Sequence, residues 1–225
     1  SGLPGRQGEK QHRVAVRMAT SDLQSLALTN STLGSARWEE LAQALYQNTS
    51  IKELDMSDNS FDDMESAELV RGVLRSNKTI TTLDLSGNPF GQTIGAVERI
   101  ADGLGSISTL LKINLACCTL GDGGVSILAQ TLGSRNTTLQ KLTLGDNSIT
   151  STGVGVLLET MERNSHHITA LELDGTLIGD EGASLIAVAL GNNALPSLTR
   201  LFLSYCWLDD DGCRGLTVAL KPNMS

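Results

Sequence analysis

Cysteine, histidine and cations are all scarce in this chain, and each shortage excludes something. Four cysteines in 225 residues do not make a disulfide framework, so a reduced, cytoplasmic setting is expected. The three histidines are His12, His166 and His167; there is no Cys-x-x-Cys pair, and Cys117 and Cys118 are adjacent, so no zinc site is expected. No run of 18 apolar residues exists, which excludes a membrane-spanning helix. The opening Ser1-Gly-Leu-Pro-Gly5 has no initiator Met and no apolar signal-peptide core. There is no G-x-x-x-x-G-K phosphate loop, and Asp55-Met-Ser-Asp58-Asn59 lacks the glycine and distal glutamate of a calcium loop. Cys213, near a helix start, sits among Asp209, Asp210 and Asp211, which oppose a thiolate; its repeat equivalents are Val125, Val154 and Ala183, so it reads as core. No catalytic residue, metal or cofactor is expected.

Seventeen Lys and Arg face 25 Asp and Glu, for a net charge of −8. Residues 1–20 carry a net +3, leaving −11 for the remainder. Such a body repels phosphates, which argues against nucleic acid and anionic membranes as partners. The basic segment 1–22 alternates like an edge strand at Arg13-Val-Ala-Val-Arg-Met18 and is expected to cap the N-terminal end of the folded body.

What is abundant is a repeated leucine pattern. It begins at Leu23, Ile51, Ile80, Leu110, Leu139, Ile168 and Leu198, at steps of 28, 29, 30, 29, 29 and 30 residues. A period of that size marks stacked repeats. Each block fits L-x-x-L-x-L-x-x-(N/C)-x-L. Leu26, Leu54, Leu83, Ile113, Leu142, Leu171 and Leu201 take its fourth position, and Leu28, Met56, Leu85, Leu115, Leu144, Leu173 and Leu203 its sixth. This alternation predicts a short strand with one buried face. Position nine holds Ser31, Asn59, Asn88, Cys118, Asn147, Thr176 and Cys206, all able to satisfy backbone groups where the chain leaves the strand. Two apolar columns four residues apart, Leu41 to Leu216 and Leu45 to Leu220, predict a helix in each second half. Gly124, Gly153, Gly182 and Gly212 mark close approaches near the helix starts, where preceding Asp or Ser residues suit N-caps. Strand and helix repeated in one direction give an α/β fold, a right-handed β/α solenoid. The reading is an N-terminal segment 1–22, whose capping role falls on the first repeat, then seven repeats over 23–220 and a tail at 221–225.

The blocks LTLGDNSITSTGVGVLLETM and LDLSGNPFGQTIGAVERIADGL resemble leucine-rich repeats of the ribonuclease-inhibitor type. The resemblance covers roughly residues 23–220. It implies a horseshoe with a parallel sheet on the concave face and helices on the convex face. Similar repeats occur in ribonuclease inhibitor, the sensing arms of NOD-like receptors, the GTPase activators of Ran, and the actin regulators tropomodulin and CARMIL. The resemblance therefore implies a noncatalytic scaffold or sensor that binds a protein partner. Regulation of a small GTPase and an actin-regulator fragment are the alternatives.

On such a face, strand positions three, five and seven point outward. The face then carries an acidic patch at Glu53, Asp55, Asp58 and Asp84. Lys112, Asn114 and Lys141 follow, then Glu172 and Asp174, then Arg200 with Phe202, Tyr205 and Trp207. The last three concentrate three of seven aromatics within six residues, and Tyr and Trp are favoured interface anchors. Self-association through this last repeat is a further expectation. Five Asn-x-Ser/Thr sequons begin at Asn30, Asn48, Asn77, Asn136 and Asn223. Three of them, Asn48, Asn77 and Asn136, lie three residues before a repeat start, where a helix-ending turn explains them without glycans.

Overall fold

A computed structural model of the chain describes residues 22–31, 35–136, 138–163 and 167–221. Seven three-residue strands alternate with helices: β1 Ser25–Ala27, β2 Glu53–Asp55, β3 Thr82–Asp84, β4 Lys112–Asn114, β5 Lys141–Thr143, β6 Ala170–Glu172 and β7 Arg200–Phe202. The helices are α1 Ser35–Gln47, α2 Met64–Ser76, α3 Ile94–Leu104, α4 Gly121–Arg135, α5 Ser151–Arg163, α6 Gly179–Gly191 and α7 Asp210–Ala219. All strands run parallel in one sheet, in chain order from β1 to β7. The register carries each repeat's fourth position onto the next, Leu26 on Leu54, then Leu83, Ile113, Leu142, Leu171 and Leu201. Strands pack about 4.8 Å apart, whereas a helix with side chains is about 10 Å wide. Pairing both layers one-to-one therefore bends the stack with the strands inside the curve. The expected α/β solenoid is the observed fold.

The core lies between the layers. Leu54, Leu83, Ile113, Leu142 and Leu171 from the sheet meet Val70, Ile100, Leu128, Leu157 and Ile186 from the helices, all buried. Burial fails at the end of the stack. Leu201 and Leu216 are only partly covered, Leu220 is 71% exposed, and Cys213, expected in the core, is exposed. Its equivalents Val125, Val154 and Ala183 are each covered by a following repeat, and among the described residues none follows α7.

Two asparagine ladders fix the turns. At position nine, Asn147 is fully buried; its amide donates to the carbonyls of Leu115 and Leu144, while its oxygen accepts from the backbone N–H of Cys118 and Leu120. Asn88 does the same for Met56, Leu85, Asn59 and Phe61. Cys118 and Cys206 replace the donor only, through Sγ contacts to Leu85 and Leu173 carbonyls at 3.3 and 3.0 Å. Upstream of Cys118 the loop takes another route: the Phe90 N–H donates to the Asn88 carbonyl, and a 3-10 turn spans Phe90–Gln92.

The second ladder explains three of the five sequons. Asn77 and Asn136 are buried, cap the backbone of Thr79 and Ile80, and of Thr138 and Leu139, and donate back to carbonyls of the preceding turn. The sequon hydroxyls work too: Ser50, Thr79 and Thr138 donate to the carbonyls of Leu23, Ile51 and Leu110. With Asn48 also buried, these three amides are not open to a glycan in the folded chain.

The glycines near the helix starts are tight, as expected. A Cβ on Gly153 would stand 2.4 Å from Asp122 Oδ1, and one on Gly212 the same distance from Asp180 Oδ1. These carboxylates belong to the preceding repeat. Asp122 accepts from the Thr150 and Gly153 N–H groups, and Asp180 from those of Asp209 and Gly212. Asp209 is a local N-cap for α7, but Asp180 reaches forward and leaves α6 without a side-chain cap. The basic segment, read as a cap over the first repeat, lies outside the described residues apart from Asp22, as do residues 222–225 of the tail.

Candidate functional site

Strand residues alternate, so positions three and five leave the sheet on the face opposite the helices. Glu53, Asp55, Asp84, Lys112, Asn114, Lys141, Glu172, Arg200 and Phe202 all lie there. Asp58, Asp174, Tyr205 and Trp207 sit just beyond the strands, in the loops that lead to the helices.

The structure divides these residues by what already engages them. Asp55 Oδ1 accepts from the Ser57 N–H and hydroxyl at 2.9 and 2.7 Å, and Oδ2 from the Thr29 hydroxyl at 2.8 Å. Burial raises the Asp55 carboxyl, but these hydrogen bonds outweigh it and hold the group below its ordinary value. Asp84 repeats the arrangement with Ser86 and also accepts from Asn114 Nδ2 at 2.9 Å. Asn114 in turn accepts from the Ala116 N–H. At position five these side chains cap the chain as it leaves the strand. Asp174 accepts from the Ser204 N–H at 2.7 Å. The acidic patch is therefore partly a structural device. The Asp-x-Ser spacing at 55–57 and 84–86 is the signal for it.

Lys141 and Glu172 form an ion pair at 2.7 Å, and Thr143 donates to the other oxygen of Glu172. Lys112 lies beside Lys141 in the register. Among the described residues, Glu53, Lys112 and Arg200 have no side-chain hydrogen bond or ion pair, and each is exposed. Phe202 is exposed, Trp207 is 76% exposed and Tyr205 is 90% exposed.

Sequence reasoning missed a cluster on the helix side. Asp102 of α3 accepts from Arg135 of α4 at 2.9 Å and lies within ion-pair reach of Arg71 and Arg75 of α2. Glu68 pairs with Arg71 and with Arg99. Apart from Glu68 and Arg71, which are three residues apart on α2, the partners lie about one repeat apart, so no local motif reveals them. The adjacent thiols of Cys117 and Cys118 are both raised above the ordinary value. Burial pushes Cys118 up to about 12. Cys117 is raised by burial and by the carboxylates of Asp146 and Asp58. Among the described residues, no three His, Cys, Asp or Glu gather to hold a metal, and no helix is long and apolar enough to cross a membrane.

Comparison with known proteins agrees with this geometry. The Leucine Rich repeat family matches residues 47–63, 76–95, 106–129, 135–158, 164–187 and 194–216. The chain is 29% identical over 203 residues to NACHT, LRR and PYD domains-containing protein 12 of Homo sapiens, covering 90% of this chain and 19% of that protein. It is 28% identical to ribonuclease inhibitor of Sus scrofa, covering 90% of this chain and 44% of the relative. The chain thus spans less than half the length of either. The solved tropomodulin C-terminal domain of Caenorhabditis elegans shares the fold, with a TM-score of 0.55, 15% identity, and coverage of 70% of this chain and 92% of that one.

Proposed function

Since this chain belongs to the leucine-rich repeat family, we propose that it is a noncatalytic module that binds a protein partner through the open face of its sheet. One observation carries the reading: Glu53, Lys112, Arg200 and Phe202 stand on one continuous surface, exposed and unengaged among the described residues. The ladders behind them fix the backbone, so the surface is preformed and binding costs little ordering. The Sus scrofa relative is by name an inhibitor of ribonuclease, a protein target. Regulation of a small GTPase and the actin-regulator reading have no residue of this face that favours them.

The test is affinity capture from cell lysate, comparing wild type with Glu53→Lys/Lys112→Glu/Phe202→Ala. All three side chains are exposed, so circular dichroism should be unchanged. Proteins captured by wild type and lost from the variant would support the reading. An identical set from both would remove function from this face.

A further inference from the structure

Tyr205 and Trp207 are left in the open in a backbone conformation that bulky side chains avoid, with φ of +57° and +59°. The loop itself demands that conformation. Position eight is left-handed in every repeat, at Asn30, Asp58, Gly87, Cys117, Asp146 and Gly175 as well as Tyr205. Position ten is left-handed at Ser60, Thr119 and Ser148 as well as Trp207. The other left-handed sites carry small or polar residues, so the aromatic rings of the last repeat serve no folding requirement of the loop. Leu177, one repeat back from Trp207, is itself 49% exposed.

The rim on which these rings sit has a one-sided charge. Positions seven to thirteen of the second to seventh repeats, which run from just past the strands through the loops to the helix starts, contain nine carboxylates and no Lys, Arg or His. All thirteen Lys and Arg residues between residue 22 and the C-terminus lie elsewhere, among fifteen further carboxylates. Stacking gathers the rim residues into one continuous edge, because each loop hydrogen-bonds to the next: Asp58 N–H to Ser86, Asp146 N–H to Asp174 and Gly175 N–H to Ser204. The Cys117 thiol responds to this field, since Asp146 and Asp58 add to the upward push of its burial.

We infer that this loop rim is a second docking surface, for a Lys/Arg-rich segment of a protein partner, with Tyr205 and Trp207 as the rings against which its cations stack. The inference rests on the protein-binding reading above but uses a different face. An exposed aromatic attracts a cation over its ring, and the cation-free rim supplies complementary charge along the rest of the segment. Nucleic acid and anionic lipid meet repulsion at the same edge.

The test is fluorescence anisotropy on the full chain with fluorescein-labelled hexa-arginine, and hexa-glutamine as the uncharged control. Wild type should bind the first and not the second. Tyr205→Asn/Trp207→Ser, which installs residues already present at positions eight and ten of other repeats, should weaken hexa-arginine binding about tenfold. Asp58→Asn/Asp146→Asn on the rim should weaken it clearly, whereas Glu159→Gln/Glu162→Gln on α5, with the same change in charge, should leave it nearly unchanged. Equal losses from both charge pairs, with no loss from the aromatic variant, would mean diffuse attraction and overturn the proposal. Concentration-dependent self-association abolished by Tyr205→Asn/Trp207→Ser, without peptide binding, would assign the rim to a second copy and also overturn it. The two faces separate cleanly: Glu53→Lys/Lys112→Glu/Phe202→Ala that keeps hexa-arginine binding while capturing the wild-type protein set sinks the sheet-face reading and leaves the rim standing.

Discussion

Asn147 shows how much one side chain contributes here, since it satisfies two buried carbonyls and two buried N–H groups at once. Asn147→Leu would strand several of these and should cost about 3 kcal/mol or more in urea denaturation. Asn147→Cys should cost less, because Cys118 and Cys206 already serve the donor half of the role. Tyr205 makes the opposite prediction. A bulky residue in the left-handed region is disfavoured by about 1 kcal/mol, so Tyr205→Asn should raise the denaturation midpoint slightly; a clear fall would mean that the exposed ring packs in solution. The recurrence of Asn, Cys and Thr makes position nine legible in the sequence. Asp55 and Asp84 are harder, because a carboxylate that caps its own strand and one that awaits a partner occupy the same position of the repeat. The sequons show the same ambiguity. Asn-x-Ser/Thr serves equally as a glycan acceptor or as a turn whose amide and hydroxyl both face inward.

Between elements, helices α2, α3 and α4 are tied on their outer side through Asp102. The hydrogen bond from Arg135 acts first; burial opposes it, and the charges of Arg135, Arg75 and Arg71 add to it, holding the Asp102 carboxyl below its usual range. A carboxyl lowered in the folded state stabilises fully above the unfolded value, about 3.9. That contribution is lost as pH falls through the lower, folded value. Asp102→Asn should therefore cost about 1 kcal/mol or less at pH 7, given its partly exposed setting. It should also flatten the decline of thermal midpoint below about pH 4. An unchanged acid limb would show the network to be idle. Helix existence is legible from the two apolar columns. Helix starts are legible only in part: Asp63 and Asp209 are local caps of α2 and α7, but the carboxylates that hold Thr150 and Gly212 come from the preceding repeat, beyond any local capping signature.

At the scale of the whole molecule, stability is a sum of repeats and their interfaces. The last repeat has one interface among the described residues, and Leu201, Leu216 and Leu220 show it in their exposure. Hydrogen exchange should find β7 and α7 losing protection well before β4 and α4. Leu142→Ala should cost about 3 kcal/mol, and Leu201→Ala distinctly less. A single cooperative loss of protection would contradict this. The period specifies the architecture, because steps of 28 to 30 residues all bring each strand into register with the next. Cys213 escapes a reading by period, because the period predicts a neighbour for every repeat, including the last.

Asp122 and Asp180 come off the ribosome before the helices whose first turns they hold. A helix start waiting for a carboxylate finds it already folded in the preceding unit. The contact therefore gives growth of the stack an order, from the N-terminal end forward. At these two junctions the same handoff constrains how the chain can lengthen in evolution: a unit duplicated there is accepted when it brings an acceptor for its successor and a helix start that its predecessor can hold.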